Sequence, residues 1–157
     1  MQILKDYING QWVTGTGELL DVFNPSTGEV IAKVPVTTTE RVEEAIQAAA
    51  EAFKTWKDVP LQQRMGYLFK LRDALLNRRE ELAQLISTDQ AKHIADARAE
   101  VDRGIQLTET ACGLPLMLRG DKIAVNAHID GEIVREPIGV VGALSPFNFP
   151  SLVFGWF

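Results

Sequence analysis

A single amide side chain, Asn148, stands in the stiff, largely apolar stretch SPFNFP, residues 145–150. Pro146 and Pro150 restrict their own φ angles and bias the residue before each of them toward extended geometry. A rigid loop can aim a neutral amide at an oxyanion that develops in a transition state, and such a donor adds no titrating charge. A second interpretation is that Asn148 caps the helix that follows, which is a common role for asparagine.

The segment before this loop, residues 138–144, reads IGVVGAL and contains no charged residue. Such a run is typical of a central strand covered on both faces in a parallel α/β sheet. In open sheets of that kind, ligands bind beyond the carboxyl ends of the strands. The sequence therefore places Ser145 to Asn148 at the functional edge of a predicted sheet.

Two hairpin patterns open the chain. Asn9-Gly10 forms a turn signal within DYINGQWV, and residues 19–36 place Asn24-Pro25 and Thr27-Gly28 between apolar stretches. These patterns predict a small antiparallel β unit at the start of the chain.

Helical periodicity dominates the middle of the sequence. Thr37 and Glu40 have the spacing of a capping box, which predicts a helix that starts there and ends at Lys57. A continuous apolar stripe predicts a second helix through residues 61–86, and a third is predicted over residues 94–112. We expect the first two helices to bury one face each.

The period changes to that of strands after residue 121. Ile123, Val125 and Ala127 alternate with polar residues, and Asp130-Gly131 is a hairpin signal. The sequence therefore predicts a hairpin with its turn at Asp130-Gly131.

The charge and composition of the chain disfavour several classes of partner and site. The chain has 16 Lys and Arg against 21 Asp and Glu, a net charge of −5 and a pI near 5.1, which disfavours nucleic acid and anionic membranes as partners. One cysteine, Cys112, excludes an intrachain disulfide, and His93 and His128 are isolated, so we expect no metal site. The N-terminus lacks the apolar run of a signal peptide, and a cytoplasmic protein is expected.

Several motifs together resemble the aldehyde dehydrogenase superfamily: YINGQWV, NPSTGEVIAKVP, AAEAFKTW, REELAQLIS and PIGVVGALSPFNFP. The resemblance covers essentially the whole chain and is strongest to the CoA-acylating methylmalonate or malonate semialdehyde dehydrogenases. It implies an α/β fold, the N-terminal part of the aldehyde dehydrogenase fold. Residues 1–120 would form the N-terminal part of the NAD-binding domain, a β-hairpin plus helices. Residues 121–137 would form oligomerisation strands, and residues 138–157 would begin an incomplete Rossmann-like core.

The same resemblance implies roles for particular residues. Asn148 would donate to the oxyanion of a thiohemiacetal, and Arg103, in EVDRGIQ, would hold the substrate carboxylate. A surface or interdomain salt bridge is the alternative for Arg103. The NAD cleft would be lined by four consecutive residues, Leu144, Ser145, Pro146 and Phe147.

The activity implied is NAD-dependent oxidation of a small aldehyde, methylmalonate or malonate semialdehyde, to an acyl-CoA with release of CO2. NAD would be the cofactor, CoA the co-substrate, and the complete protein a homo-oligomer, a dimer or tetramer. The family's nucleophilic cysteine and general-base glutamate would lie beyond residue 157, so we expect this chain by itself to be inactive. A truncated product acting through protein contacts, or a dehydrogenase of another substrate class, remain as alternatives.

One position departs from the family pattern. Ala91 stands where the resemblance leads us to expect glycine, in DQAKH. Alanine is poorly suited to positive φ, which predicts an altered or strained turn at this residue.

Overall fold

The computed structural model describes residues 1–156, which form three small β sheets, five α helices and one 3₁₀ helix. The last residue of the predicted Rossmann-like segment, Phe157, lies outside the described residues. The strands are β1 (Gln2–Ile3), β2 (Asp6–Ile8), β3 (Gln11–Val13), β4 (Leu19–Phe23), β5 (Val30–Pro35), β6 (Lys122–Asn126) and β7 (Ile129–Glu132). The helices are α1 (Thr39–Trp56), α2 (Leu61–Asn77), α3 (Arg79–Gln90), α4 (Ile94–Ala111) and α5 (Leu114–Met117), and a 3₁₀ helix spans Val153–Trp156.

Both N-terminal hairpin predictions are confirmed. Strands β2 and β3 pair antiparallel around Asn9 and Gly10, whose φ angles of 49° and 76° suit a tight hairpin turn. Strand β5 pairs antiparallel with β4 and parallel with β1, so the second unit is a three-stranded mixed sheet.

Helix α1 begins one residue later than the capping-box pattern predicts. Thr38 is the N-cap, and its side chain accepts a hydrogen bond from the backbone N–H of Arg41. The Thr37 hydroxyl instead donates to Asp6 Oδ1 at 3.3 Å, which ties the helix start to β2. The pKa of Glu40 lies below its ordinary value because its carboxylate accepts hydrogen bonds from its own backbone N–H and from Thr38. The prediction of the helix was right, and the choice of Thr37 as its cap was wrong.

The apolar face of α1 is not buried among the described residues, contrary to the prediction. Val42 is 45% exposed and Ile46 is 50% exposed, and both line a surface groove with Tyr7, Ile8 and Val140. Periodicity determines that the helix is amphipathic, but burial requires a partner surface. Residues 1–156 cover this face incompletely.

The predicted second helix is two helices. Arg78, with φ −110° and ψ 16°, interrupts the helix between α2 and α3. One irregular residue leaves the apolar stripe almost in phase, so the sequence pattern does not reveal the break. The break lets α3 pack along α4, where the core is formed by Ala83, Ile86, Ala97, Val101 and Ile105.

Ion pairs flank this core between α3 and α4. Arg79 donates to both carboxylate oxygens of Asp102, and Arg98 donates to both oxygens of Glu80. The pKa of Asp102 lies below its ordinary value because the Arg79 guanidinium donates hydrogen bonds to its carboxylate. These contacts fix the register of α4, the helix that carries Glu100 and Arg103.

The predicted hairpin after residue 121 is present, but its turn lies elsewhere. Strands β6 and β7 pair antiparallel around Ala127 and His128, and Asn126 Oδ1 accepts the backbone N–H of His128 at 2.8 Å. Asp130 and Gly131 lie inside β7, so the predicted turn position was wrong. The side chain of Asn126 stabilises the earlier turn, which the sequence pattern did not reveal.

Residues 138–144 form no strand in this structure, although their composition predicts one. Ile138 is 92% exposed and Leu144 is 94% exposed. A parallel strand is stabilised by hydrogen bonds to neighbouring strands, and no strand within residues 1–156 pairs with this segment. The apolar composition of the segment still marks it as one that another surface must cover.

Helix α3 ends in the strained turn that the sequence predicts. Ala91 is its C-cap residue and adopts a left-handed conformation with φ 53° and ψ 23°. This conformation costs a non-glycine residue about 1–2 kcal/mol. The turn directs the chain from α3 into Lys92.

Replacing Ala91 by glycine is expected to raise the free energy of unfolding by about 0.5–1 kcal/mol. Relief of the left-handed strain exceeds the added entropy of glycine in the unfolded chain, which is about 0.4–1 kcal/mol. Urea unfolding of the Ala91→Gly protein measures the difference. Ala99→Gly is the matched control, since Ala99 is exposed inside α4, and should lower the stability by about 1 kcal/mol. A loss of stability in both variants would contradict the strain at Ala91.

Candidate active-site loop

The loop that carries Asn148 packs against α4 through its backbone. Ser151 and Leu152 donate their backbone N–H groups to Glu100 Oε1, at 2.9 and 3.1 Å. A cap at Asn148 would receive the N–H of Ser151, because Pro150 has no N–H to donate. That donor is already bound by Glu100, so the structure does not support the helix-cap interpretation of Asn148.

Glu100 is a buried carboxylate with three hydrogen-bond donors around it. Its side chain is 0% exposed, and its second oxygen, Oε2, lies 2.5 Å from Lys92 Nζ. Burying a carboxylate is costly unless it is paired and hydrogen-bonded, and here both oxygens have partners. Glu100 therefore fixes the segment that follows Asn148 to the core of α3 and α4.

Lys92 binds the other side of the same loop. Its ammonium donates to the backbone carbonyl of Asn148 at 2.7 Å and lies 4.2 Å from the ring centroid of Phe149. The second contact has the geometry of a cation–π interaction. Lys92 and Glu100 thus contact residues 148 to 152 from two directions, and we call the pair the loop clamp.

Sequence reasoning missed both members of the loop clamp. The sequence pattern singles out DQAKH only for Ala91, and it assigns no role to Lys92 or Glu100. The sequence did contain a signal for the burial of Glu100. This residue lies three positions after Ala97 and one before Val101, at the edge of the apolar stripe of α4. A carboxylate in that position needs a partner if it is buried.

The Asn148 residue itself is exposed, and so is the Phe147 side chain before it. The loop clamp holds the Asn148 backbone and leaves the residue exposed. This arrangement suits a donor that acts on a bound molecule.

Arg103 lies on α4, one helical turn beyond Glu100. Positions three apart on a helix are surface neighbours, so Arg103 stands next to the residue that binds the loop. Its guanidinium donates to Gln106 Oε1 at 3.2 Å. Arg72, Arg78, Arg79 and Arg98 each pair with a carboxylate, whereas no ion pair between described residues involves Arg103. The intramolecular salt bridge considered for Arg103 is not present in this part of the protein.

The residues predicted to line a cofactor cleft lie directly before Asn148. Leu144 and Phe147 expose their side chains almost fully, at 94% and 81%. The Ser145 hydroxyl is buried and has no hydrogen-bond partner among the described residues. The exposed apolar faces of Leu144 and Phe147 are compatible with the flat rings of a dinucleotide.

Residues 1–156 contain neither a cluster of metal ligands nor a helix that could cross a membrane. No group of three or more histidine, cysteine, aspartate or glutamate side chains lies close enough together to hold a metal ion. Within the same residues, no helix combines the length and apolar character needed to cross a membrane.

Comparison with known proteins identifies the class. Residues 12–157 match the model of the aldehyde dehydrogenase family, so the chain belongs to that family. The fold corresponds to the N-terminal part of the aldehyde dehydrogenase fold.

Three similar proteins show how much of an aldehyde dehydrogenase this chain matches. The chain is 47% identical to malonate-semialdehyde dehydrogenase 2 of Oceanobacillus iheyensis, over 98% of this chain and 32% of that protein. The structure of methylmalonate-semialdehyde dehydrogenase from Oceanimonas doudoroffii matches with a TM-score of 0.94 and 38% identity, over 99% of this chain and 32% of that one. A candidate methylmalonate-semialdehyde dehydrogenase from Sinorhizobium meliloti, in complex with NAD, matches with a TM-score of 0.93 and 30% identity over the same shares. The chain spans about a third of the length of these proteins.

Proposed function

We propose that this chain supplies the oxyanion-binding amide of an NAD-dependent aldehyde dehydrogenase, and that the amide is Asn148. The observation that carries the proposal is the attachment of the Asn148 backbone to α4 by Lys92 and Glu100. An exposed amide on a fixed backbone can donate to the oxygen of an aldehyde as a nucleophile adds to its carbonyl carbon. Fixed donors need little reorganisation when charge develops on that oxygen.

The substrate proposed is an aldehyde that carries a carboxylate, malonate or methylmalonate semialdehyde. Arg103 supports this class because its guanidinium has no carboxylate partner among residues 1–156 and neighbours the loop clamp on α4. A guanidinium binds a carboxylate through two parallel hydrogen bonds and keeps its charge at any working pH. The similar proteins named above carry the same substrate class in their names.

NAD is the proposed cofactor and would accept the hydride released by the aldehyde carbon. In this chain the exposed side chains of Leu144 and Phe147 would pack against it, and Ser145 would lie beside it in the same loop. Pro146 would restrict the backbone of this segment, at its own φ angle and at Ser145 before it. CoA is the proposed acceptor of the acyl group, with loss of CO2 from a malonate-type substrate.

The hairpin of β6 and β7 is the proposed oligomerisation element, within residues 121–137. Its outward apolar side chains include Ile123, Val125 and Ile129, which are 55–66% exposed. An exposed strand edge with apolar side chains is suited to pairing with a second subunit. A role in protein contacts alone is the competing function, and this hairpin is the feature that favours it.

The proposed activity can be tested on the product of the complete open reading frame that encodes these residues. We expect NADH to form when malonate or methylmalonate semialdehyde, NAD and CoA are all present, with release of CO2 and an acyl-CoA. Residues 1–157 by themselves should form no NADH. NADH formation with neutral aldehydes but not with the semialdehyde acids would contradict the substrate class. No turnover with any aldehyde would favour the role in protein contacts.

A further inference from the structure

The loop clamp holds the segment around Asn148 by four contacts that converge on two side chains. Lys92 comes from the turn after α3 and Glu100 from α4, while the bound residues 148–152 lie about fifty positions later in the chain. The Lys92 side chain is 17% exposed and the Glu100 side chain is 0% exposed. This charge pair is therefore shielded from water, unlike the pairs on the helix surfaces.

The two members of the loop clamp bind different parts of the loop. Glu100 accepts the N–H groups of Ser151 and Leu152, after Asn148, and Lys92 donates to the carbonyl of Asn148 itself. The backbone of residue 148 is thereby fixed at its own carbonyl and again three residues later. A fixed backbone limits the Asn148 amide to the positions that its own side-chain rotamers can reach.

We propose that Lys92 and Glu100 are positioning residues that place the amide of Asn148 where a carbonyl oxygen of the substrate is bound. The proposal rests on the function proposed for Asn148. Neither side chain need touch the substrate, since each acts on the backbone of the loop. A displacement of about 1 Å in a catalytic group can cost about a hundredfold in rate.

The structure also explains why a salt bridge performs this task. A lysine can donate in several directions at once, and here its three N–H bonds are shared among Glu100, the Asn148 carbonyl and the Phe149 ring. A carboxylate has two oxygens, so one binds Lys92 and the other binds two backbone N–H groups. Removing either member leaves the other buried charge without its main partner.

The first experiment measures loop order without any assay of activity. Amide hydrogen exchange is followed at Ser151 and Leu152 in the chain of residues 1–157. In Glu100→Ala we expect their protection to fall about tenfold or more, because both N–H groups lose a charged acceptor. Lys54→Met is the control, since Lys54 forms an exposed pair with Glu51 on α1, and should leave that protection unchanged. Unchanged protection in Glu100→Ala would overturn the loop clamp.

The second experiment is a double-mutant cycle in the complete dehydrogenase. Lys92→Met should lower kcat about 10- to 100-fold with a small change in KM, and Lys92→Arg should recover part of the loss. In the Asn148→Ala background, Lys92→Met should have almost no further effect on kcat, because the amide that Lys92 positions is already gone. Equal losses in both backgrounds would show that Lys92 supports the fold and not Asn148.

Glu100→Gln is the conservative variant, because glutamine retains an oxygen for the two N–H groups and loses only the ion pair with Lys92. Its kcat should fall less than that of Glu100→Ala, and its melting temperature identifies any loss of the fold. If the wild-type protein has no dehydrogenase activity, the proposed function fails while hydrogen exchange still decides the loop clamp. If the wild-type protein is active and Lys92→Met lowers kcat equally with and without Asn148→Ala, the loop clamp does not position Asn148. The proposed dehydrogenase function is unaffected by that result.

Discussion

Replacing Asn148 by alanine is expected to lower kcat about 10²–10³-fold in the complete protein. The loss corresponds to about 3–4 kcal/mol of transition-state stabilisation, the usual value of one oxyanion donor. KM for the semialdehyde should change little, because the hydrogen bond strengthens only as charge develops on the oxygen. Steady-state kinetics with saturating NAD and CoA measure both constants.

Two further variants make the Asn148 result specific. Asn148→Asp keeps the size of the side chain but replaces the N–H donor with a negative charge, so its kcat should be no higher than that of Asn148→Ala. Asn77→Ala removes an exposed asparagine from the end of α2 and should leave kcat within about twofold of the wild type, because surface changes away from the site have small effects. A normal kcat in Asn148→Ala would rule out the oxyanion role.

Replacing Arg103 is expected to act on the substrate carboxylate and not on the chemistry. Hydrogen bonds to a charged group are worth about 1.5–3 kcal/mol, so Arg103→Met should raise KM for malonate semialdehyde about 10- to 100-fold. Arg103→Lys should raise it less, because lysine keeps the charge but loses the paired donors of the guanidinium. Neutral aldehydes such as propanal should show almost the same KM in all three proteins.

Arg98 provides a matched control for Arg103. It is a half-exposed arginine on the same helix, and its guanidinium is paired with Glu80. Arg98→Met should leave the ratio of the two KM values unchanged, even if it lowers stability slightly. An equal rise in KM for the charged and the neutral aldehyde in Arg103→Met would refute the assignment.

Local features of the chain were largely predictable. The turn at Asn9-Gly10 follows from two residues that tolerate positive φ, and the helices follow from apolar spacing that the backbone geometry imposes. The strain at Ala91 was also visible, since it depends on one residue in one turn. Exact ends were less predictable, because two adjacent threonines precede α1. Thr38 caps the helix, while the Thr37 hydroxyl bonds to Asp6, a distant residue that the local pattern does not record.

Several incorrect predictions concern features that a local pattern does not record. The break at Arg78 and the exposed face of α1 lie within regular apolar periods, and the turn at Ala127 depends on the hydrogen bond that the His128 N–H donates to the Asn126 side chain. A helical period continues almost unchanged through one irregular residue, and it records which face is apolar without recording whether that face is covered. The unpaired segment of residues 138–144 is a further example, since a strand exists only with its neighbours.

The sequence by itself determined the family, the stiff proline-flanked loop and the amide that it presents, because these depend on residue types within a few positions of one another. The tertiary structure alone decided that Lys92 and Glu100 hold that loop. The Lys92 ammonium and the Asn148 carbonyl are 56 positions apart, and their contact forms only when α3, α4 and the loop are packed together. Pairing of distant charges is a property of the folded chain, since no local propensity brings them within hydrogen-bond distance.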